Sequence, residues 1–163
     1  MDLPGFVYLY TLATLAMTFV GFCAVVFVLR QGRVKKQTGL HILHSHGYIE
    51  IALSSAAAAM LPPLLAVCGL SSLQVWQWSS AIIAFGLIAH TAYTLGRFFK
   101  IVSWRIPTHA LVNWIITALV VVALIGNIIG YPNQPSVGPI AVAATWRLIM
   151  AIEVFFLTLE VFL

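Results

Sequence analysis

The chain has 163 residues, of which 62% are hydrophobic and 7% are charged. Soluble domains carry about a quarter charged residues, and a chain this short has too much surface to bury so large an apolar share within itself, which excludes a water-soluble fold. The net charge of +4 could suggest nucleic-acid binding, but seven of the eight Lys and Arg residues lie in two short segments between apolar runs, a pattern that orients a membrane protein and gives no support to a nucleic-acid partner.

In chain order, five apolar runs are long enough to cross about 30 Å of hydrocarbon as helices. They cover 5–29, 41–69, 74–99, 107–130 and 138–163. The alternating ten-residue segments typical of a membrane β-barrel are absent from the sequence. The connections are short, and no internal repeat or linker appears. The sequence therefore predicts an all-α fold, a polytopic membrane bundle of about five transmembrane helices, as a single domain over 1–163.

Two of the four connections are basic. The basic residues of the first and third connections are Arg30, Arg33, Lys35, Lys36, Arg97, Lys100 and Arg105. The connections near 71–72 and 131–135 contain neither Lys nor Arg. Because basic connections stay in the cytoplasm, we expect the amino terminus outside, the carboxyl terminus in the cytoplasm and the lipid bilayer as the main partner. Short loops without an extramembrane domain favour a bacterial inner membrane.

Small and amide side chains in the runs predict helix packing. Residues 54–59 are all Ser or Ala, which permits a neighbouring helix to approach closely. Core packing within the chain and an interface between copies both fit this stretch. Pro62 and Pro63 should bend the second helix near its far end. Asn113 and Asn127 are expected to form hydrogen bonds between helices.

Ionisable residues inside the runs indicate a polar site. Such a group at the bilayer centre costs roughly 2.5–3.5 kcal/mol on insertion scales, so each needs a partner, water or a neutral form. Counting along the helices at about 1.5 Å per residue puts four of them in the cytoplasmic half: Glu50, His90, Glu153 and Glu160. Together with Tyr93, these residues are expected to line a pocket or a pore.

Arg147, in the fifth run, is the basic residue that lies outside the connections. Glu153 is six residues away, about 240° around the helix, so the two side chains do not face each other. A partner for Arg147 must therefore come from another helix or another subunit. A salt bridge between subunits and a role in attracting anions both fit.

Neither a metal site nor haem is expected. Cys23 and Cys68 lie in separate apolar runs without a CxxC spacing. The three histidines within 41–46 have spacings of three and two, so they cannot all share one helix face. Haem would need two histidines opposed at matching depth on separate helices. The candidates for such a pair are His90 with either His109 or His46.

The stretches HSHGYIEIALSSAAAAMLPPLL and GLIAHTAYTLGRFFK resemble the MAPEG superfamily of small glutathione-dependent membrane enzymes, over about residues 40–125. Glu50 matches the family's second-helix glutamate, and His90 with Tyr93 resembles its third-helix segment. The family's asparagine and arginine positions are Gly47 and His46 here. The resemblance implies glutathione as a cofactor and a trimeric assembly. It also allows charge contacts to a glutathione carboxylate from Arg30, Arg33, Arg97 or Arg105.

Three functions follow as hypotheses. The first is a self-associating membrane protein with a polar pocket in the cytoplasmic half of the bilayer, resembling MAPEG enzymes and binding glutathione or a lipid. The second is a homo-oligomeric ion channel or a proton- or cation-coupled transporter, with Glu50, His90, Glu153 and Glu160 along its path. The third is a structural subunit of a larger membrane complex, held to a partner through Arg147 and the acidic residues of the fifth helix.

Overall fold

The computed structural model describes the backbone of residues 5–31, 39–101 and 108–160, and the side chains of 5–29, 47–96, 108 and 110–159. The described residues form five helices and no strands. The helices are α1 Phe6–Gln31, α2 Gly39–Val67, α3 Ser72–Ile101, α4 Thr108–Ile129 and α5 Val137–Glu160. This confirms the predicted all-α fold. Where the described residues continue past a helix end, the predicted bounds agree with it to within two residues. The predicted start at 107 and the predicted end at 163 lie outside the described backbone.

Each helix contains a stretch that is long and apolar enough to cross a membrane. These stretches are Phe6–Leu29, Gly47–Val67, Ser72–Gly96, Ala110–Ile129 and Val137–Leu159. In α1 only 22% of the apolar window is buried, so most of this apolar surface needs a hydrocarbon solvent. The chain is therefore a multi-pass membrane protein. The orientation of its helices across the bilayer remains a prediction.

Local sequence explains where α3 begins and where α2 and α4 end. Ser71 and Gln74 form a capping box: the Gln74 Oε1 atom accepts from the Ser71 backbone N–H at 3.1 Å, and the Ser71 Oγ atom accepts from the Gln74 N–H at 3.5 Å. Gly69 and Gly130 follow α2 and α4 with φ angles of 84° and 79°. Only glycine adopts such angles without strain, and it ends helices for that reason.

The chain divides into two compact units. The α3–α4 unit consists of residues 61–143, and the three-helix unit consists of the described residues of 4–60 and 144–163, which contribute α1, most of α2 and most of α5. α2 continues as a helix through Pro62 and Pro63, which are both buried.

Polar side chains join α3 to α4 in the α3–α4 unit. Asn127, 5% exposed, donates from Nδ2 to the Ser80 Oγ atom at 2.8 Å, which confirms its predicted bond between helices. The same amide accepts from the Ser136 N–H at 2.9 Å and donates to the Ser136 carbonyl at 3.1 Å. Gln77 donates to the Ile128 carbonyl at 3.0 Å. These bonds bind the connection after α4 to the helix pair.

Aromatic rings and small residues form the core of the three-helix unit. The ring of Phe155 on α5 meets those of Phe19, Phe22 and Tyr48 edge to face, with centroids 5.6, 5.8 and 5.4 Å away. Nearby, the cluster of Ile51, Ala52 and Ala151 is buried, with Phe19 and Val20 packed against it. The buried Ser55 hydroxyl donates to the Ala144 carbonyl at 2.7 Å. Most of the small-residue stretch therefore packs within the chain, which is the first of the two roles that the sequence suggested for it. The buried members of 54–59 are Ser55, Ala56, Ala58 and Ala59.

These contacts also establish helix direction within the three-helix unit. Tyr8 meets Thr145 through their hydroxyls at 2.7 Å, and later in both helices Phe19 meets Phe155, so α1 and α5 are parallel. α2 is antiparallel to both, because its Tyr48 meets Phe155 whereas its Ser55 meets Ala144. Residues 19–23 of α1 thereby lie at the level of residues 48–52 of α2.

Candidate functional site

A cleft of about 870 Å³ lies between α1 and α2 in the three-helix unit. This volume falls within the range of ligand-binding pockets in proteins. Its lining residues come from the membrane-crossing stretches of both helices. They are Tyr10, Ala13, Thr14, Met17, Thr18, Leu53, Ala56, Ala57 and Met60.

Small side chains create the cleft. Ala13 and Ala56 are buried and lie at its base, and Ala57 is exposed on its α2 side. The larger Met17 and Leu53 are both exposed and flank it. Because methyl groups replace longer side chains where α1 and α2 face each other, a gap remains between the helices that is open to the surroundings.

The lining has the chemistry of an apolar site. Its polar members are Tyr10, Thr14 and Thr18. The Thr14 hydroxyl donates to the Tyr10 carbonyl at 2.9 Å, and the Thr18 hydroxyl donates to the Thr14 carbonyl at 2.8 Å. Each threonine hydroxyl thus donates its hydrogen bond to its own helix. Among the described residues, no charged side chain lines the cleft, so the described lining suits a hydrocarbon chain better than a polar cofactor.

Glu50 lies one helical turn beyond the cleft on α2. It is three residues before Leu53 and seven before Ala57, so all three residues share one face of the helix. Glu50 is two residues from both Tyr48 and Ala52, about 200° around the helix from these core residues. It is exposed accordingly.

Gly21 occupies the corresponding place on α1. It is four residues after Met17 and three after Thr18, which puts it on the face that lines the cleft. The register of α1 and α2 brings it to the level of Glu50. Gly21 is exposed, and a Cβ atom added there would meet nothing within 4 Å. The cleft is therefore open toward Glu50.

The structure does not bring Glu50 and Glu153 together. The two residues lie at the same level, since the pairs Tyr48–Phe155 and Ile51–Ala151 flank them. Glu153, however, is two residues from both Ala151 and Phe155, so it lies about 200° around α5 from the face that packs on α2. It is half-buried there. The two carboxylates thus point away from each other.

His90 and Tyr93 belong to the α3–α4 unit, not to the unit that contains Glu50. They are three residues apart on one face of α3, where His90 is half-buried and Tyr93 is 57% exposed. Neither residue lines the α1–α2 cleft. The common pocket of Glu50, His90, Tyr93 and Glu153 that the sequence predicted is therefore not formed within either unit.

Arg147 is buried in the chain, with 6% of its surface exposed. It lies three residues after Ala144 and four before Ala151, on the face of α5 that packs against α2. Its Nε atom has no hydrogen-bond partner in the described part of the chain. A partner for Arg147 on another helix or another subunit stays a prediction, as does a role in attracting anions.

Several predicted residues lie outside the described side chains. They are Glu160, Arg30, Arg33, Arg97 and Arg105, together with the histidines of 41–46 and His109. Their predicted roles stay predictions. Within the described residues, no group of three His, Cys, Asp or Glu side chains could hold a metal ion.

Comparisons of the chain with protein-family models, with curated proteins and with solved structures found no match. A function must therefore be inferred from the residues themselves. The sequence prediction missed the α1 side of the cleft because it looked for ionisable groups. A signal was present, since small and hydroxyl side chains recur at helical spacing through Thr14, Thr18 and Gly21.

Proposed function

We propose that the protein binds the hydrocarbon chain of a lipid in the cleft between α1 and α2. The observation that carries this proposal is an open gap of about 870 Å³ whose described lining contains no charged group, inside two membrane-crossing stretches. Lipid surrounds such a gap on the bilayer side and is the nearest molecule that can fill it. We place this activity in a bacterial inner membrane on the shortness of the predicted loops, and the Glu50 end of the cleft toward the cytoplasm on the distribution of basic residues.

Binding in such a cleft depends on shape. A lipid tail gains no hydrophobic free energy on leaving the bilayer for a protein groove, because both surroundings are apolar. The favourable contribution comes from close packing against the groove walls. A tail held along Ala13, Ala56 and Ala57 contacts backbone and side chains on two helices, which a flat helix surface cannot offer.

Of the three sequence hypotheses, this proposal is closest to the lipid-binding part of the first. Glutathione is not part of this proposal, because the described lining of the cleft contains no cation for its carboxylates and the arginines expected to contact it lie outside the described side chains. The described carboxylates and His90 do not line a common path within either unit, so a channel receives no support from the geometry of the units.

The experiment is native mass spectrometry of the protein purified in mild detergent. We expect one retained phospholipid per chain. We also expect that a photoactivatable lipid, used as a second probe, labels peptides of α1 and α2. In the variant Ala57→Leu the longer side chain occupies the cleft, and retention should fall roughly tenfold, which corresponds to about 1.4 kcal/mol.

The matched control is Ala123→Leu, which adds the same side chain at an exposed position on α4 and should leave retention unchanged. Equal effects of both variants, or no lipid retained by the parent protein, would contradict the proposal. Crosslinking of cleft residues to a second copy of the chain would also overturn it, because the cleft would then be a helix interface.

A further inference from the structure

We infer that the bound lipid carries a primary amine in its headgroup and that the Glu50 carboxylate binds this ammonium group. The inference rests on the proposed function, since it identifies the lipid that the α1–α2 cleft selects. The occupant is a bilayer phospholipid of the ethanolamine type, with its tail in the cleft and its amine at Glu50.

The position of Glu50 suits a lipid headgroup. In the sequence, three histidines within 41–46 precede the apolar run of α2, and Glu50 comes four residues, about 6 Å along the helix, after the last of them. On this pattern we place Glu50 at the boundary between headgroups and hydrocarbon. The cleft continues from Leu53 to Met60, about 10 Å farther along α2, where lipid tails are found. A phospholipid in its normal orientation therefore matches both features together.

Charge determines the kind of headgroup. Glu50 is exposed and makes no hydrogen bond or ion pair with any other residue in the described part of the chain. A carboxylate at the edge of the hydrocarbon needs a counter-charge or donors. An ammonium group brings a positive charge and three N–H donors, and bonds of this charged kind are among the strongest. An anionic headgroup without an amine would be repelled by the carboxylate.

Access to Glu50 is open from the cleft. Gly21 lies at the same level on α1 and has no side chain, and the space beside it is empty to 4 Å. A headgroup can thus pass along Leu53 and reach Glu50 between the two helices. A side chain at position 21 would narrow this passage, and its Cβ atom would meet nothing within 4 Å.

The test compares three phospholipids with identical tails, added to the delipidated protein in detergent and measured by native mass spectrometry. Phosphatidylethanolamine has an ammonium group, phosphatidylcholine has the charge without N–H donors, and phosphatidylglycerol has neither. We expect retention to favour phosphatidylethanolamine over phosphatidylglycerol by roughly tenfold, with phosphatidylcholine between them.

Glu50→Gln should abolish this preference and still retain lipid, because the cleft is intact. Gly21→Leu should also abolish the preference for phosphatidylethanolamine. The control is Gly86→Leu, which should keep this preference. Gly86 is an exposed helical glycine of the other unit, and an added Cβ atom there meets nothing within 4 Å. Circular dichroism and thermal unfolding establish that each variant is folded.

The outcomes separate the two proposals. If the parent protein retains all three lipids equally, or if Glu50→Gln keeps the preference, the amine inference is wrong and the lipid-binding function stands. If the parent protein retains no lipid, both are wrong. If Ala57→Leu removes retention of all three lipids while Glu50→Gln removes only the preference, both are supported.

Discussion

The Ser55 hydroxyl connects two membrane helices through one atom. It is fully buried and donates to the Ala144 backbone carbonyl of α5 at 2.7 Å. A carbonyl oxygen has two lone pairs, so the Ala144 oxygen can accept the Ser55 bond and also the backbone N–H bond of α5. A bond of this kind holds α2 and α5 in register because a backbone acceptor cannot move independently of its helix.

Replacing Ser55 by Ala should lower the free energy of unfolding by about 0.6 kcal/mol, the average for hydrogen bonds between membrane helices. The measurement is reversible unfolding in mixed micelles. Ser54→Ala is the control, because the Ser54 hydroxyl donates at 2.6 Å to the Ile51 carbonyl of its own helix. A loss in Ser54→Ala as large as that in Ser55→Ala would contradict this assignment.

Asn127 combines three hydrogen bonds in one buried amide. Asn127→Ala leaves the Ser80 hydroxyl and the Ser136 backbone groups without these partners, and we expect a loss of about 1–3 kcal/mol in the free energy of unfolding. Asn133→Ala, at an exposed position of the same connection, should change stability little. Equal unfolding curves for both variants would show that the Asn127 bonds contribute nothing.

At the scale of the helices, the end of α4 depends on close backbone approach. The backbone N–H groups of Gly130 and Tyr131 both donate to the Gly126 carbonyl, at 2.9 and 3.0 Å. A Cβ atom at Gly126 would lie 2.9 Å from the Tyr131 carbonyl oxygen, closer than such atoms normally come. The chain can therefore turn back after α4 only because residue 126 has no side chain.

Gly126→Ala should accordingly destabilise the protein by about 1–3 kcal/mol, as overpacking typically does. Gly86→Ala is the matched change in α3, where an added Cβ atom meets nothing within 4 Å. Alanine is the better helix former, so this variant should be as stable as the parent or more so. Thermal unfolding in one detergent compares the two, and a stable Gly126→Ala protein would contradict the packing at the end of α4.

At the scale of the whole molecule, the two cysteines can report the orientation in the membrane. Cys68 is exposed in the turn after α2, whereas Cys23 is buried in α1. The distribution of basic residues predicts that the turn after α2 lies outside the cytoplasm. A membrane-impermeant maleimide should then label Cys68 in right-side-out vesicles and not in sealed inverted vesicles.

Cys68→Ala is the control and should abolish labelling in native vesicles, because the Cys23 thiol is covered by its neighbours. Both cysteines should react after denaturation. Labelling confined to inverted vesicles would show that the orientation is opposite to the predicted one, and it would contradict the cytoplasmic position proposed for Glu50.

The candidate site could be predicted only in part from the sequence. Glu50 stood out because a carboxylate in an apolar run is rare, and the structure places it beside a cleft. Of its expected companions, Glu153 lies at the same level but on a different side of α5 from the face that packs on α2, and His90 and Tyr93 belong to the other unit. The sequence gives the position of a residue along its helix but not the direction in which its side chain points. The residues that form the cleft are alanine, threonine and methionine, which no count of ionisable groups could detect.

The sequence by itself determined that this is a helical membrane protein and where, in the described part of the chain, its five apolar stretches lie. Hydropathy is a local property, and the bilayer acts as a solvent that requires each apolar run to satisfy its own backbone. Only the tertiary structure decided which faces pair, that Ser55 packs inward, that Arg147 is buried and that a cleft opens between α1 and α2. The helices are apolar all round, so no polar face marks the outside of each one, and the facing sides are determined by the packing of small residues and rings.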